Sequence, residues 1–267
     1  MDERTETGLP RAVTIAWGMH EVPQRGPNRG LSHERIVAAA MEIADTDGLA
    51  AVTMQAVAKS LGFTTMSLYR YVSGKDELLR LLQDAALNIP GPIDLPDDWR
   101  EALRVWAGHI REGYRRHPWV LGIPRGQVSV LMPSSVRIAD LGMAAMRELP
   151  IDDGEKIGVV LVLSQHVAAT VELERHLADE GPVTVSAQGA EMLDQVITAE
   201  RFPHLSAVIK AGYYPGAETE IGSMADGMDE DHGVDDDYEY GLDLVISGLE
   251  RRLEQQQAQH DEQGPAA

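Results

Sequence analysis

Cysteine is absent from the 267-residue chain, which excludes disulfides, thiolate metal sites and cysteine nucleophiles. Long hydrophobic runs are missing as well. No stretch approaches the roughly eighteen unbroken apolar residues of a membrane span. The first residues, MDERTETGLPRAV, lack the basic-then-apolar design of a secretory signal. The expected location is the cytoplasm, with no membrane partner. Catalytic signatures are equally scarce: there is no Gly-x-Ser-x-Gly, no phosphate loop ending in Gly-Lys-Ser/Thr, no dinucleotide fingerprint and no His-Glu-x-x-His. An enzyme, a cofactor and a metal are therefore not expected. Glu172 and His176 stand one helical turn apart, but such pairs arise often by chance.

Positive charge is in short supply. Lys and Arg total 23 against 43 Asp and Glu, a net charge of −20, which argues against a nucleic-acid partner because DNA affinity is largely phosphate neutralisation. Its distribution weakens that objection. Residues 24–82 hold seven basic and six acidic side chains, and residues 1–23 carry −2, so residues 83–267 carry −19. The chain is long enough for one large or two ordinary domains, and its 43% hydrophobic content supports a real core.

The most informative stretch is VTMQAVAKSLGFTTMSLYRYVSGKDELLRLL, residues 52–82. Thr53 is an N-cap, and Val57, Ala58 and Leu61 give an apolar face ahead of Gly62. A short turn leads to a second helix carrying Thr65 to Tyr71. Ser73 caps a further helix, with Asp76 and Glu77 in its first turn and Leu78, Leu79, Leu81 and Leu82 behind them, running to about Leu87. Upstream, Ser32 caps a helix over about 33–46 whose stripe includes Ile36, Val37, Ala40, Ile43 and Ala44, and Gly48 ends it. Two helices joined by a short glycine-bearing turn form a helix-turn-helix unit, whose second helix can enter the major groove. Leu61, Leu68 and Val72 belong to its core. The hydroxyls of Thr64, Thr65, Ser67, Tyr69 and Tyr71 are left to meet phosphates or base edges, and Met66 to touch a thymine methyl.

This stretch resembles the DNA-binding motif of the tetracycline-repressor (TetR) family, through the glycine turn, the Leu-Tyr pair, the aromatic two residues on and the Lys-Asp-Glu-Leu-Leu helix start. The resemblance implies base contacts from Thr65, Met66 and Ser67, phosphate contacts from Tyr69, Tyr71 and Lys75, and a base or phosphate contact from Gln55. It also implies that the helix after Ser73 links the DNA-binding head to a ligand-binding body. No arginine stands at the tip of the recognition helix, so base preference is not readable. For Tyr69 a second reading stands, a half-buried aromatic that closes the small domain.

Residues 1–30, rich in Pro and Gly, read as a flexible arm. Arg25 and Arg29 flank a Gly-Pro-Asn turn there and could reach phosphates, or belong to a solvated linker. Trp17 is unusual for such a segment. The head with its linking helix spans residues 31–88, and PGPIDLPD at 90–97 marks the boundary to a body over 97–256. The body begins with a helix over about 97–116, carrying Trp99, Leu103, Trp106, Ile110 and Tyr114 with His109 beside the stripe, and continues with one near 134–148. The longest helix, about 154–179, includes Val159 to Leu163, so it must be covered on more than one side. Shorter helices are expected over about 187–200 and from Phe202 to Tyr214. A last helix spans about 236–256, with Gly241 and Gly248 requiring compensation through close helix approach. An acidic loop of about 215–235 is read as solvated, and residues 257–267 as a polar tail.

The expected class is all-α: an N-terminal three-helix head and a larger helical ligand-binding and dimerisation body. Tyr238 to Leu242 resembles the final helix of an actinobacterial-type TetR ligand domain, in which two helices per subunit build a four-helix dimer interface. That resemblance assigns the interface to 154–179 and 236–256. The expected function is a homodimeric repressor that leaves a palindromic double-stranded operator when a small-molecule effector binds. Trp106, His109, Trp119, Met132, Met143 and His166 would face a largely apolar effector; the tryptophans and methionines also fit as plain core. The rival readings are a helical protein-interaction scaffold and a helical enzyme.

Overall fold

The computed structural model describes residues 8–19, 30–180, 186–210 and 234–263. The described residues form eleven α-helices with short 3-10 turns and no strands. They are α1 (Arg11–Ala16), α2 (His33–Asp47), α3 (Met54–Ser60), α4 (Thr65–Leu68), α5 (Lys75–Ala86), α6 (Trp99–Arg116), α7 (Pro133–Ala145), α8 (Asp153–Glu180), α9 (Ala187–Val196), α10 (Ser206–Lys210) and α11 (Val234–Gln263). They fall into two units, Met1–Val171 with Tyr238–Ala267, and Glu172–Asp237.

The head assembles where the sequence places its caps. The Ser32 hydroxyl accepts from the Arg35 amide and the Thr53 hydroxyl from the Ala56 amide, each satisfying an otherwise orphaned donor. Gly48 and Gly62 take positive φ, which lets the chain turn out of α2 and α3. Ile36, Ala40, Val57, Leu68, Val72, Leu78 and Leu82 fill the core, with Leu61 and Ile43 packed against it.

Three expectations are revised in the head. The recognition helix is α-helical only through Leu68, and Tyr69 to Tyr71 form a turn. The Tyr71 amide bonds the Leu68 carbonyl at 2.8 Å, while the Tyr71 carbonyl is drawn to Arg11 and His33 instead of continuing the helix. Gly74, not Ser73, is the N-cap of α5. The Glu77 carboxylate reaches back to the Ser73 amide (2.9 Å) and hydroxyl (3.1 Å), so Ser73 stands just outside the helix. Thirdly, the expected flexible arm contains α1, with Val13 and Ile15 buried in the head core. The Trp17 indole donates to the Leu131 carbonyl at 2.8 Å, which gives that residue its docking place. Arg25 and Arg29 lie outside the described residues, as do 211–233 with most of the acidic loop.

The body is organised on α6. Asp98 caps it by accepting from the Arg100 and Glu101 amides, and these bonds hold its carboxyl below the usual carboxylate range. Leu103, Trp106, Ala107 and Ile110 pack with Val160, Leu163 and Val167 of α8 and with Leu242, Ile246 and Leu249 of α11. α8 is long and apolar enough to cross a membrane by length and composition alone. In the fold, one of its sides is buried, whereas Ile157, Leu161 and Val162 are exposed on the single chain. α11 continues beyond the expected end at 256, since Glu254 to Ala258 are good helix formers. Within the second unit, Ser186 caps α9 through the Gly189 amide.

Candidate DNA-binding face and effector cleft

The helix-turn-helix core leaves a polar face exposed. Leu68 is fully buried and turns the rest of α4 outward: Met66 is 73% exposed, Thr64 and Tyr69 are exposed, and Thr65, Ser67 and Tyr71 are half-buried. The Thr64 and Ser67 hydroxyls bond each other at 2.9 Å across the first turn of α4, which fixes their positions on this face. Gln55 on α3 and Lys75 at the start of α5 are exposed. None of the eight residues expected to meet DNA is fully buried, and the exposed Lys59 and Arg70 add positive charge. The Tyr71 ring stands edge-on to His33, centroids 5.6 Å apart. His33 Nε2 also donates to the Tyr71 carbonyl at 2.9 Å.

Helix α5 ties this face to the body. Its Asp84 carboxylate accepts from the Ser134 amide at 2.8 Å, capping the start of α7, and burial pushes the Asp84 carboxyl up against the lowering effect of that bond. A second tie comes from α2. One oxygen of Asp45 accepts from the Trp119 indole at 2.6 Å and from His117 Nδ1 at 2.8 Å.

Beside the C-terminal end of α5 lies a cleft of ≈ 300 Å³. Leu87, Ile89, Ile93, Ile110 and Ile138 supply apolar wall, and His109, Glu112 and Arg116 on α6 supply polar groups. Arg116 pairs with Glu112 at 3.0 Å.

Of the six residues expected to face an effector, only His109 borders this cleft. The other five are not gathered around it, and four of them are held by partners. Trp106 is 1% exposed and donates to the Ile138 carbonyl at 2.8 Å. Trp119 is bound to Asp45. Met132 is part of the head core. His166 Nε2 donates to the Tyr238 carbonyl at 2.9 Å, with its ring stacked on the Tyr238 ring. Met143 is half-buried on α7. An indole, an imidazole or a thioether is as useful to a core as to a ligand, so residue type alone did not separate the two. Sequence reading missed Ile89 and Ile93, which sit in the proline-rich boundary, and Glu112 and Arg116, which look like ordinary solvated charges. It also missed Arg11, whose one visible signal was the short apolar stretch that follows it.

A compact helix-turn-helix head presenting a polar recognition face, joined by one helix to a larger helical body, defines a DNA-binding regulator of the ligand-responsive kind. Residues 36–82 match the family model described as bacterial regulatory proteins, tetR family, and residues 91–253 match the tetracyclin repressor-like C-terminal domain. The chain belongs to the TetR family of transcriptional regulators. It is 31% identical over 245 residues to the HTH-type transcriptional repressor DrrR1 of Streptomyces coeruleorubidus, covering 91% of this chain and 86% of that one. It is 26% identical over 227 residues to an HTH-type transcriptional regulator of Saccharopolyspora erythraea, covering 83% and 94%. Among solved structures, the TetR family protein ActR of Streptomyces coelicolor in complex with (S)-DNPA superposes with a TM-score of 0.60 at 26% identity, covering 82% of this chain and 96% of ActR. Apo ActR gives 0.59 at 25% identity, covering 84% and 97%.

Proposed function

We propose that this regulator acts as a homodimeric repressor on a roughly palindromic operator and is released by a small, largely apolar effector that enters the cleft beside α5. The observation that carries the reading is the exposed polar face from Thr64 to Lys75, held on a buried scaffold. Thr65, Met66 and Ser67 meet base edges, with Gln55 beside them; Thr64, Tyr69, Tyr71 and Lys75 hold the backbone. Hydroxyls and an ammonium suit phosphate oxygens, while a threonine or methionine methyl suits a thymine methyl.

The effector reading is supported by the cleft and by the similar ActR, solved with (S)-DNPA. Ile89, Ile93 and Ile138 favour an apolar body, and His109 or Arg116 a hydrogen-bonding group on it. The effector weakens DNA binding only through its differential affinity for two head spacings. α5 ends at the cleft and begins at Lys75, so it is the transmitting element. Two copies meet through α8 and α11, whose exposed faces carry Ile157, Leu161, Val162, Tyr240 and Leu244. The protein works in the cytoplasm.

The test is selection of duplexes from random-sequence DNA, followed by footprinting. Protection over an inverted repeat is expected. Thr65→Ala is expected to alter base preference, and Tyr69→Ala to weaken all sequences alike. Unchanged affinity and preference in both variants refute the assignment of this face.

A further inference from the structure

Helix α1 lies outside residues 36–82, the span that matches the family's DNA-binding model, yet it is built into the head. Arg11, its first residue, sends Nη1 to Glu77 Oε1 at 2.7 Å and Nη2 to the Tyr71 carbonyl at 2.9 Å. Tyr71 sits at the exit from the recognition helix, and Glu77 stands in the first turn of α5. The same Glu77 carboxylate accepts the amide and the hydroxyl of Ser73, between the two. Glu77 is 6% exposed, and a buried carboxylate is tolerable when paired and hydrogen-bonded. Arg11 supplies that pairing and, with its second nitrogen, fastens the carbonyl end of the turn. A planar guanidinium fork can bridge a carboxylate and a carbonyl at once in fixed geometry. Behind it, Val13 and Ile15 are buried in the same core as Leu68 and Val72, which keeps Arg11 in place.

We propose that Arg11 is a positioning residue for DNA binding. It fixes the turn from Tyr71 to Lys75, so that the Tyr71 hydroxyl and the Lys75 ammonium are presented together to the phosphate backbone. The inference rests on the phosphate assignment of Tyr71 and Lys75 made above. With Arg11 removed, the Tyr71 carbonyl is left to His33, the turn loosens, and the Lys75 ammonium is no longer held against the phosphate, so that contact is lost from the complex.

The experiment uses the full chain and a duplex that it selects from random-sequence DNA, with affinity measured over a salt series for wild type, Lys75→Ala, Arg11→Ala and Arg11→Ala/Glu77→Gln. Lys75→Ala is expected to reduce the slope of log K against log salt by about 0.9 per head, the value for one lost phosphate contact. Arg11→Ala is expected to reduce it similarly, with base preference unchanged. A smaller folded fraction lowers the active concentration but not the slope, so the slope separates positioning from general destabilisation. The double variant removes the buried charge along with its partner, and it decides the matter where Arg11→Ala alone fails to fold. A wild-type slope in the double variant beside a reduced slope in Lys75→Ala overturns the role of Arg11 and leaves the phosphate assignment standing. A wild-type slope in Lys75→Ala removes the phosphate assignment and this proposal with it.

Discussion

The imidazole of His166 occupies the space that any side chain at position 241 would need. A Cβ built on Gly241 would stand 2.8 Å from His166 Nδ1 and 2.5 Å from Nε2, and closer still to Cε1. The ring cannot simply step aside, because Nε2 donates to the Tyr238 carbonyl at 2.9 Å. α8 and α11 approach each other over this glycine.

Gly241→Ala is therefore expected to destabilise the body. Alanine recovers about 1 kcal/mol of helix propensity. Against that stand the overpacking of a closed interface, about 1–3 kcal/mol, and the loss of the His166 bond, about 1 kcal/mol. The net expectation is a lower Tm in thermal melts. Gly248 behaves oppositely, since a Cβ there meets nothing within 4 Å. Gly248→Ala is expected to raise stability by up to about 1 kcal/mol. A fall in Tm for Gly248→Ala would instead show that a second subunit covers that position.

Asp84 provides a pH-dependent prediction. Burial raises its carboxyl above the ordinary value of 3.8, and the Ser134 amide opposes the rise only in part. The folded protein thus holds this proton more tightly than the unfolded chain. The stabilisation from the neutral form is complete below 3.8 and is lost as pH rises through the raised value. Asp84→Asn keeps an oxygen acceptor for the Ser134 amide and cannot ionise. Its advantage over wild type in denaturant melts is expected to widen as pH rises above 3.8 and then to level off. A gap that does not change with pH contradicts this.

What could be read beforehand, and what could not, divides by the range of the interactions. Caps are local: Ser32 and Thr53 accept from amides three residues on, so their positions follow from residue type and spacing. The buried roles of Ile36, Leu68 and Val72 follow from helical period. Ser73 misled because Glu77, four residues away, competes for the same turn. Arg11 reaches Glu77 across 66 positions, and Trp119 reaches Asp45 across 74. No periodicity carries such pairings. The cleft was illegible for the same reason, since it joins a proline-rich boundary to one side of α6 and a residue of α7. The requirement for close approach at Gly241 was legible, although its partner was not.

Asp45 joins the head to the turn after α6 by accepting from both Trp119 and His117. Removing it leaves two half-buried donors unmatched, at about 1–3 kcal/mol each if water cannot reach them. Part of this is offset, because an acidic residue in the last turn of α2 opposes the helix dipole by about 0.3–1 kcal/mol. Asp45→Ala is expected to cost about 1–2 kcal/mol overall, and Asp45→Asn less. Hydrogen exchange should accelerate at the C-terminal end of α2 and over 117–122 while the core of α6 stays protected. Unchanged exchange in both segments would mean that this tie contributes nothing to docking the head.

The exposed side of α8 gives the test of assembly. Leu161 is 58% and Val162 54% exposed on the single chain, and on α11 Leu244 is 57% exposed. Fully burying a leucine is worth about 1.5–3 kcal/mol, and a twofold interface counts each change twice. Leu161→Glu places two carboxylates in the interface proposed for this face while the buried side, Val160, Leu163 and Val167, is untouched. The variant is expected to fold with an unchanged helical spectrum and to scatter light as a monomer where wild type scatters as a dimer. Two linked heads bind more tightly than one by an avidity factor of about 10² or more, so operator affinity should fall by at least that factor. A dimeric mass and wild-type affinity for Leu161→Glu would place the subunit contact elsewhere than on this face of α8.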